Sequence, residues 1–170
     1  MSASISERRC SGKVLNPMTY EIVAEMAAAR PIAAVRRQVP IGAVSTAWRP
    51  ALDQVWAFLR RHEGLRTDGH NIFVYHHPTR SGDPMEVDFG VEVTAAFESE
   101  GDVVFAHTPA GLVASTLHVG PIAMLASAND AIESWCVAHK RALDGVSWEI
   151  YGDPGTDHGE LEVRVFYLLA

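Results

Sequence analysis

At 170 residues and 48% apolar content, the chain suits one folded domain burying about two-thirds of its unfolded surface, and is too apolar for disorder. Its net charge of −7 argues against a nucleic-acid-binding face, which needs clustered Lys and Arg. No stretch reads as a membrane span or a signal peptide. Residues 22–35 are interrupted by Glu25, Arg30 and Pro31, and Arg8-Arg9 run into Ser11, Gly12 and Lys13 rather than an apolar segment. Cys10 and Cys136 are too few for a disulfide framework, so a reduced, cytoplasmic setting is expected.

Residues 1–18, rich in Ser and Arg, read as a mobile leader to a domain spanning 19–170. Two extended runs follow, 20–26 and 32–39, and Pro31 with its β-branched neighbours favours a hairpin between them. A helix is expected from Ser45 or Thr46, either of which can cap it, with Pro50 in its first turn and Gly64 at its end. Trp48, Leu52, Val55 and Leu59 share one face of that helix. Strands 71–77 and 85–97 close the first half. In the second of them Met85, Val87, Phe89, Val91 and Val93 alternate with Glu86, Asp88, Gly90 and Glu92, so the acidic side chains read as a solvated face.

The second half runs in the same order. Strands 103–108 and 112–119 lead into a helix over 122–143, with Leu125, Ala128, Ile132, Trp135, His139 and Ala142 on one face, and strands 147–152 and 160–169 follow. Phe-Val-Tyr-His-His-Pro at 73–78 corresponds to Glu-Ile-Tyr-Gly-Asp-Pro at 149–154, and Trp56 to Trp135. The chain therefore reads as an α+β fold built from a duplicated strand-strand-helix-strand-strand unit, 19–98 and 102–170. It would have eight mostly antiparallel strands and two helices flanking a central groove at a pseudo-two-fold axis.

One substitution breaks the repeat: Glu149 stands where the first half has Phe73. Alternation places Glu149 and Tyr151 on one strand face and Trp148 and Ile150 on the other. If the first of those faces lines the groove, a carboxylate sits among aromatic rings, which suits a lipophilic cation. The alternative is a solvated edge-strand Glu149, or one paired with Arg164 across the terminal hairpin. Tyr75 and Tyr151 either wall the groove or fix hairpin corners. Trp48, Trp56 and Trp135 lie at helical spacing and read as core or as wall.

His76 and His77 point to opposite strand faces and make a poor chelate. No His-x-x-x-His or Cys-x-x-Cys spacing occurs, so neither a metal nor a cofactor is expected. Haem would have only His139 as an axial ligand. The serines lack a nucleophile-elbow context, and the glycines form no phosphate-binding loop.

The halved layout, Thr108-Pro-Ala-Gly111, Leu117-His-Val-Gly-Pro121 and Trp148-Glu-Ile-Tyr151 together resemble the GyrI-like effector-binding domain of AraC-type and multidrug-responsive regulators, in its stand-alone form, over roughly residues 19–170. The resemblance implies a groove between the helices with a buried glutamate that recognises lipophilic cations, which by position is Glu149. It also implies aromatic walls from Phe73, Tyr75 and Trp56, to which Tyr151 and the adjacent Trp148 are added as binding candidates. Some stand-alone members hydrolyse strained electrophiles such as cyclopropanoids. The resemblance thus leaves open a hydrolase using Glu149 with Tyr151 or Tyr75. A short leader cannot hold a helix-turn-helix, so direct DNA binding is not expected to carry over. The expected partner is a lipophilic small molecule, cationic or electron-poor and aromatic, bound for sensing or sequestration, and not a membrane; a protein-interaction role or a homodimer stays open.

Overall fold

The computed structural model describes residues 19–154 and 160–170; the expected leader, 1–18, with Cys10, lies outside them. Eight strands and two helices follow in the order β1 (Val23–Ala27), β2 (Pro31–Val39), α1 (Val44–Arg61), β3 (Arg66–His76), β4 (Met85–Val93), β5 (Val103–His107), β6 (Gly111–Gly120), α2 (Leu125–Ala138), β7 (Leu143–Pro154) and β8 (Leu161–Leu169). The strands form one antiparallel sheet in the order β1-β6-β8-β7-β3-β4-β2-β5. Exchanging the halves (β1 with β5, β2 with β6, β3 with β7, β4 with β8) reproduces that order read backwards. The register places Phe73 directly opposite Glu149, so the symmetry axis passes through this pair.

The expected hairpin between the first two strands does not form: β1 pairs with β6, and β2 with β4 and β5. Pro31 and the β-branched residues announce extended chain, but partner choice depends on residues far away in sequence. Only residues 28–30 join β1 to β2, and only 108–110 join β5 to β6, yet each link connects strands six places apart in the sheet. Six spacings in a flat sheet measure about 29 Å, whereas the four Cα steps of each link reach about 14 Å. The sheet must therefore coil until its ends approach, in the direction strand twist favours. The two links meet there. Thr108 N donates to Arg30 O at 3.0 Å, and Arg30 N donates to Thr108 Oγ1 at 2.9 Å.

Coiling buries the sheet face that carries no helix. Ile32, Ala34, Ile72, Val74, Val113, Trp148, Ile150 and Phe166 form one cluster there. On the other face α1 packs against β2 and β4, and α2 against β6 and β8. Ala51, Leu52, Val55, Phe58 and Leu59 of α1, and Leu125, Ala128, Ile132 and Cys136 of α2, supply the buried stripes. The helices thus cover the flanks and leave the central strands β3 and β7 open between them.

Both helices differ from expectation at their ends. Helix α1 starts at Val44 after Ala43, without a side-chain cap, and Thr46 Oγ1 donates to Ala43 O at 3.0 Å. Pro50 lies in its second turn, and the helix ends at Arg61 with His62 as its C-cap, ahead of Gly64. A 3-10 turn, Ile122–Met124, precedes α2, which stops at Ala138 rather than running to 143. Lys140 takes φ 53° there; Arg141 N donates to Cys136 O and Lys140 N to Val137 O, a Schellman ending. Glycine usually fills that left-handed position, so a lysine gives no stop signal in sequence.

Asp88 does not sit on a solvated face as expected. It lies on the inner side of the coil, 2% exposed, where Arg36 Nε and Nη2 donate to its two oxygens at 2.6 and 2.8 Å and His76 Nε2 lies 3.1 Å away. Burial would raise its pKa, but the hydrogen bonds from Arg36 and His76 outweigh it and hold the carboxyl below its ordinary 3.8. No helix is long and apolar enough to cross a membrane among the described residues.

Because the native pKa of Asp88 is lowered, the unfolded chain takes up its proton first, and the stabilisation is lost as pH falls through the native value. Asp88→Asn is expected to lower unfolding free energy by about 2 kcal/mol at neutral pH, with Arg36 half-exposed and partly screened. In urea titrations against pH, that gap should close below about pH 4.

Candidate functional site

On their open face, β3 and β7 lay out a floor in cross-strand rows: Asn71 opposite Tyr151, Phe73 opposite Glu149, and Tyr75 opposite Ser147. The first turns of α1 (Val44, Ser45, Trp48) and the start of α2 with its preceding turn (Ile122, Leu125, Ala126, Asn129) form the walls of a cleft of about 830 Å³. The size and mixed lining suit a small organic ligand.

Glu149 occupies the middle row on a central strand and is 7% exposed. Tyr75 reaches it diagonally across the strand pair, and Tyr151 from two residues along the same face. Both hydroxyls donate to the same oxygen, Oε2, at 2.6 Å. Among the described residues Oε1 accepts no hydrogen bond, and no cationic side chain pairs with the carboxylate. Burial, reinforced by the neighbouring Glu149 charge, drives the pKa of Tyr75 and of Tyr151 well above 10.0, so each remains a phenol and a donor. Phe73 completes an apolar bed: its ring centroid lies 5.0 Å from those of both Tyr151 and Phe89.

The register decides between the readings of Glu149. Its neighbour on β8 is Val165, whereas Arg164 pairs with Ile150 and projects from the opposite face. Glu149 is neither on a sheet edge nor in reach of Arg164.

Phe73, Tyr75, Glu149 and Tyr151 are thus brought together on the floor. Trp148 is not among them: alternation turns it to the helix-free face, where it is 2% exposed and stacks on Phe166 at 5.1 Å. Trp56 is also displaced from the cleft. It packs against the β3 bulge at Gly69, where a Cβ would come within 3.0 Å of its ring. Two helical turns, about 12 Å, separate it from Trp48, which takes the wall position instead. Helical periodicity identified both tryptophans as facing inward but carried no information on which end of the helix meets the cleft. Trp135 is half-buried and stacks on His139, which is exposed at the end of α2.

The adjacent histidines diverge as expected, His76 towards Asp88 and His77 towards Ser147 Oγ at 2.7 Å. No cluster of three or more metal-ligating side chains occurs among the described residues. Sequence reasoning missed the part His118 plays. It is fully buried, with Nδ1 2.8 Å from the Tyr20 hydroxyl and Nε2 3.1 Å from Pro121 O. This ties β6 to the turn before α2, and so positions Ile122 and Leu125 on the wall. Asn71 and Asn129 were missed as well, since isolated amides carry no periodic signal.

A family model described as the GyrI-like small molecule binding domain matches residues 18–169. The C-terminal domain of EcmrR superposes with a TM-score of 0.74 at 21% identity, covering 90% of this chain and 99% of that one. A hydrolase from Listeria innocua gives 0.59 at 10% identity, covering 88% and 92%. SAV2435, solved bound to tetraphenylphosphonium, gives 0.59 at 10% identity, covering 90% and 94%. A comparison with curated proteins gives no match. At these identities the structural likenesses establish the fold, while the family model spans nearly the whole chain. The chain, matched over residues 18–169, belongs to the GyrI-like small molecule binding domain family.

Proposed function

We propose that this domain binds lipophilic, cationic aromatic molecules in the cytoplasm, as a sensor or sequestering protein, with Glu149 as the counter-charge. The observation that carries this reading is the carboxylate itself: buried, fixed by two hydroxyls on one oxygen, open on the other, and with no cation paired to it among the described residues. A buried charge without a counter-ion is costly, and a ligand cation would relieve that cost. Phe73, Tyr75, Tyr151 and Trp48 offer π-faces to the same ligand. The neighbour bound to tetraphenylphosphonium lends support by analogy of fold.

A hydrolase remains the second reading, supported by Glu149 lying within reach of two phenols. It is the weaker one, because both phenolic protons already point at Oε2. A general base works best with its acid partner aimed at the leaving group instead.

Tetraphenylphosphonium should quench tryptophan fluorescence, and Glu149→Gln should weaken its binding by about ten- to a hundredfold, the worth of a charge-assisted contact. Binding of uncharged triphenylphosphine oxide should change little; equal loss for both compounds would sink the charge argument. Incubation with a strained-ring electrophile is expected to return it unchanged, whereas a hydrated product lost in Glu149→Gln would establish the hydrolase.

The floor tyrosines also predict an alkaline limit. With their native pKa values raised, the stabilisation they contribute is complete below the unfolded phenol value near 10.0 and is lost as pH rises beyond it. Tyr20 and Tyr167, the only other tyrosines, are raised too. Ultraviolet titration should therefore show phenolate appearing together with loss of near-ultraviolet circular dichroism, and little of it at pH 10 while the protein is folded.

A further inference from the structure

We propose that Asn71 is a second, polar recognition point in the cleft, so that the preferred ligand is an aromatic cation that also carries a hydroxyl or N–H donor. This rests on the reading of Glu149 as the counter-charge. Apart from Glu149 and its two tyrosines, three polar side chains among the described residues line the cleft: Ser45, Asn71 and Asn129. Asn129 is engaged within the protein, its Nδ2 donating to Leu125 O at 3.2 Å and its Oδ1 accepting from the Tyr167 hydroxyl at 3.0 Å. Ser45 lies exposed at the mouth. Asn71 differs from both. Its Oδ1 is buried with no partner, the one such side-chain atom among the described residues.

Symmetry sharpens the contrast. The rows pair Asn71 with Tyr151 and Ser147 with Tyr75, so Asn71 and Ser147 are counterparts about the Phe73–Glu149 axis. Each follows an irregularity in its strand, the shifts falling between Arg66 and Asn71 and between Leu143 and Ser147. Ser147 is satisfied by His77, but no group among the described residues satisfies the Asn71 carbonyl. A buried polar atom left unpaired in a folded protein calls for a water, an ion or a ligand. The terminal torsion of an asparagine is soft, so the amide can swing its oxygen towards a donor in the cleft. Asn71 and Glu149 are diagonal cross-strand neighbours, roughly 7–8 Å apart at Cα, which one aromatic ring can bridge between a positive centre and its para substituent.

Isothermal titration with three probes tests this: tetraphenylphosphonium, its mono-4-hydroxy derivative, and its mono-4-methoxy derivative, which keeps the oxygen but has no donor. Wild type should prefer hydroxy over methoxy by about tenfold, the upper worth of one net hydrogen bond. Asn71→Leu should erase that preference, and Asn71→Ser should retain part of it. The Leu variant should melt at or above the wild-type temperature, because it removes an unpaired polar atom. No preference in wild type, a preference surviving in Asn71→Leu, or a melting point well below wild type would each overturn the assignment. Glu149→Gln separates the two readings. If it weakens all three probes, the charge reading stands whatever Asn71 does; if it weakens none, that reading fails by itself.

Discussion

Two three-residue links constrain the whole molecule. Residues 28–30 and 108–110 join strands that lie six places apart, so a flat sheet is geometrically impossible. Coiling follows, and with it a buried face that needs no helix. The Arg30–Thr108 hydrogen bonds mark where the two links meet. Because the sheet supplies one core by itself, both helices are free to pack on the other face, one over each flank. The gap between them is the cleft. Its existence is therefore a consequence of connectivity, with residue chemistry deciding only what lines it.

At the cleft floor the fold is symmetric and the chemistry is not. The axis passes through a pair whose members are Phe73 and Glu149. An apolar ring on one side and a carboxylate on the other form one surface that is both greasy and charged. Tyr75 and Tyr151, nearly symmetric in position, converge on the single carboxylate from its two sides. Two phenols held as donors by burial stabilise a charge that would otherwise be poorly tolerated there. They leave its second oxygen without a hydrogen-bond partner among the described residues.

Much of this was readable from pattern. Alternation along 148–151 separated Glu149 and Tyr151 from Trp148, although the adjacency of Trp148 to the glutamate still drew it into the candidate site. The Phe73–Glu149 mismatch is written in the internal repeat of the sequence. Other features had no local trace. The termination of α2 at a left-handed lysine, the burial of Asp88 and the pairing of β1 with β6 each depend on contacts between distant segments. The choice of Trp48 over Trp56 required knowing which end of α1 meets the cleft, a translation along an axis that periodicity does not encode.

By itself, then, the amino-acid sequence determined the element types, the symmetry of their order and the residue types on each strand face, because these follow from short-range periodicity and from repetition. Tertiary structure alone decided that, among the described residues, Glu149 is buried without a cation, both tyrosines bond one of its oxygens, and the Asn71 carbonyl is left unpaired. Burial and hydrogen-bond partnership are properties of what surrounds a side chain, and here the surroundings come from strands and helices that only the coiled sheet brings together.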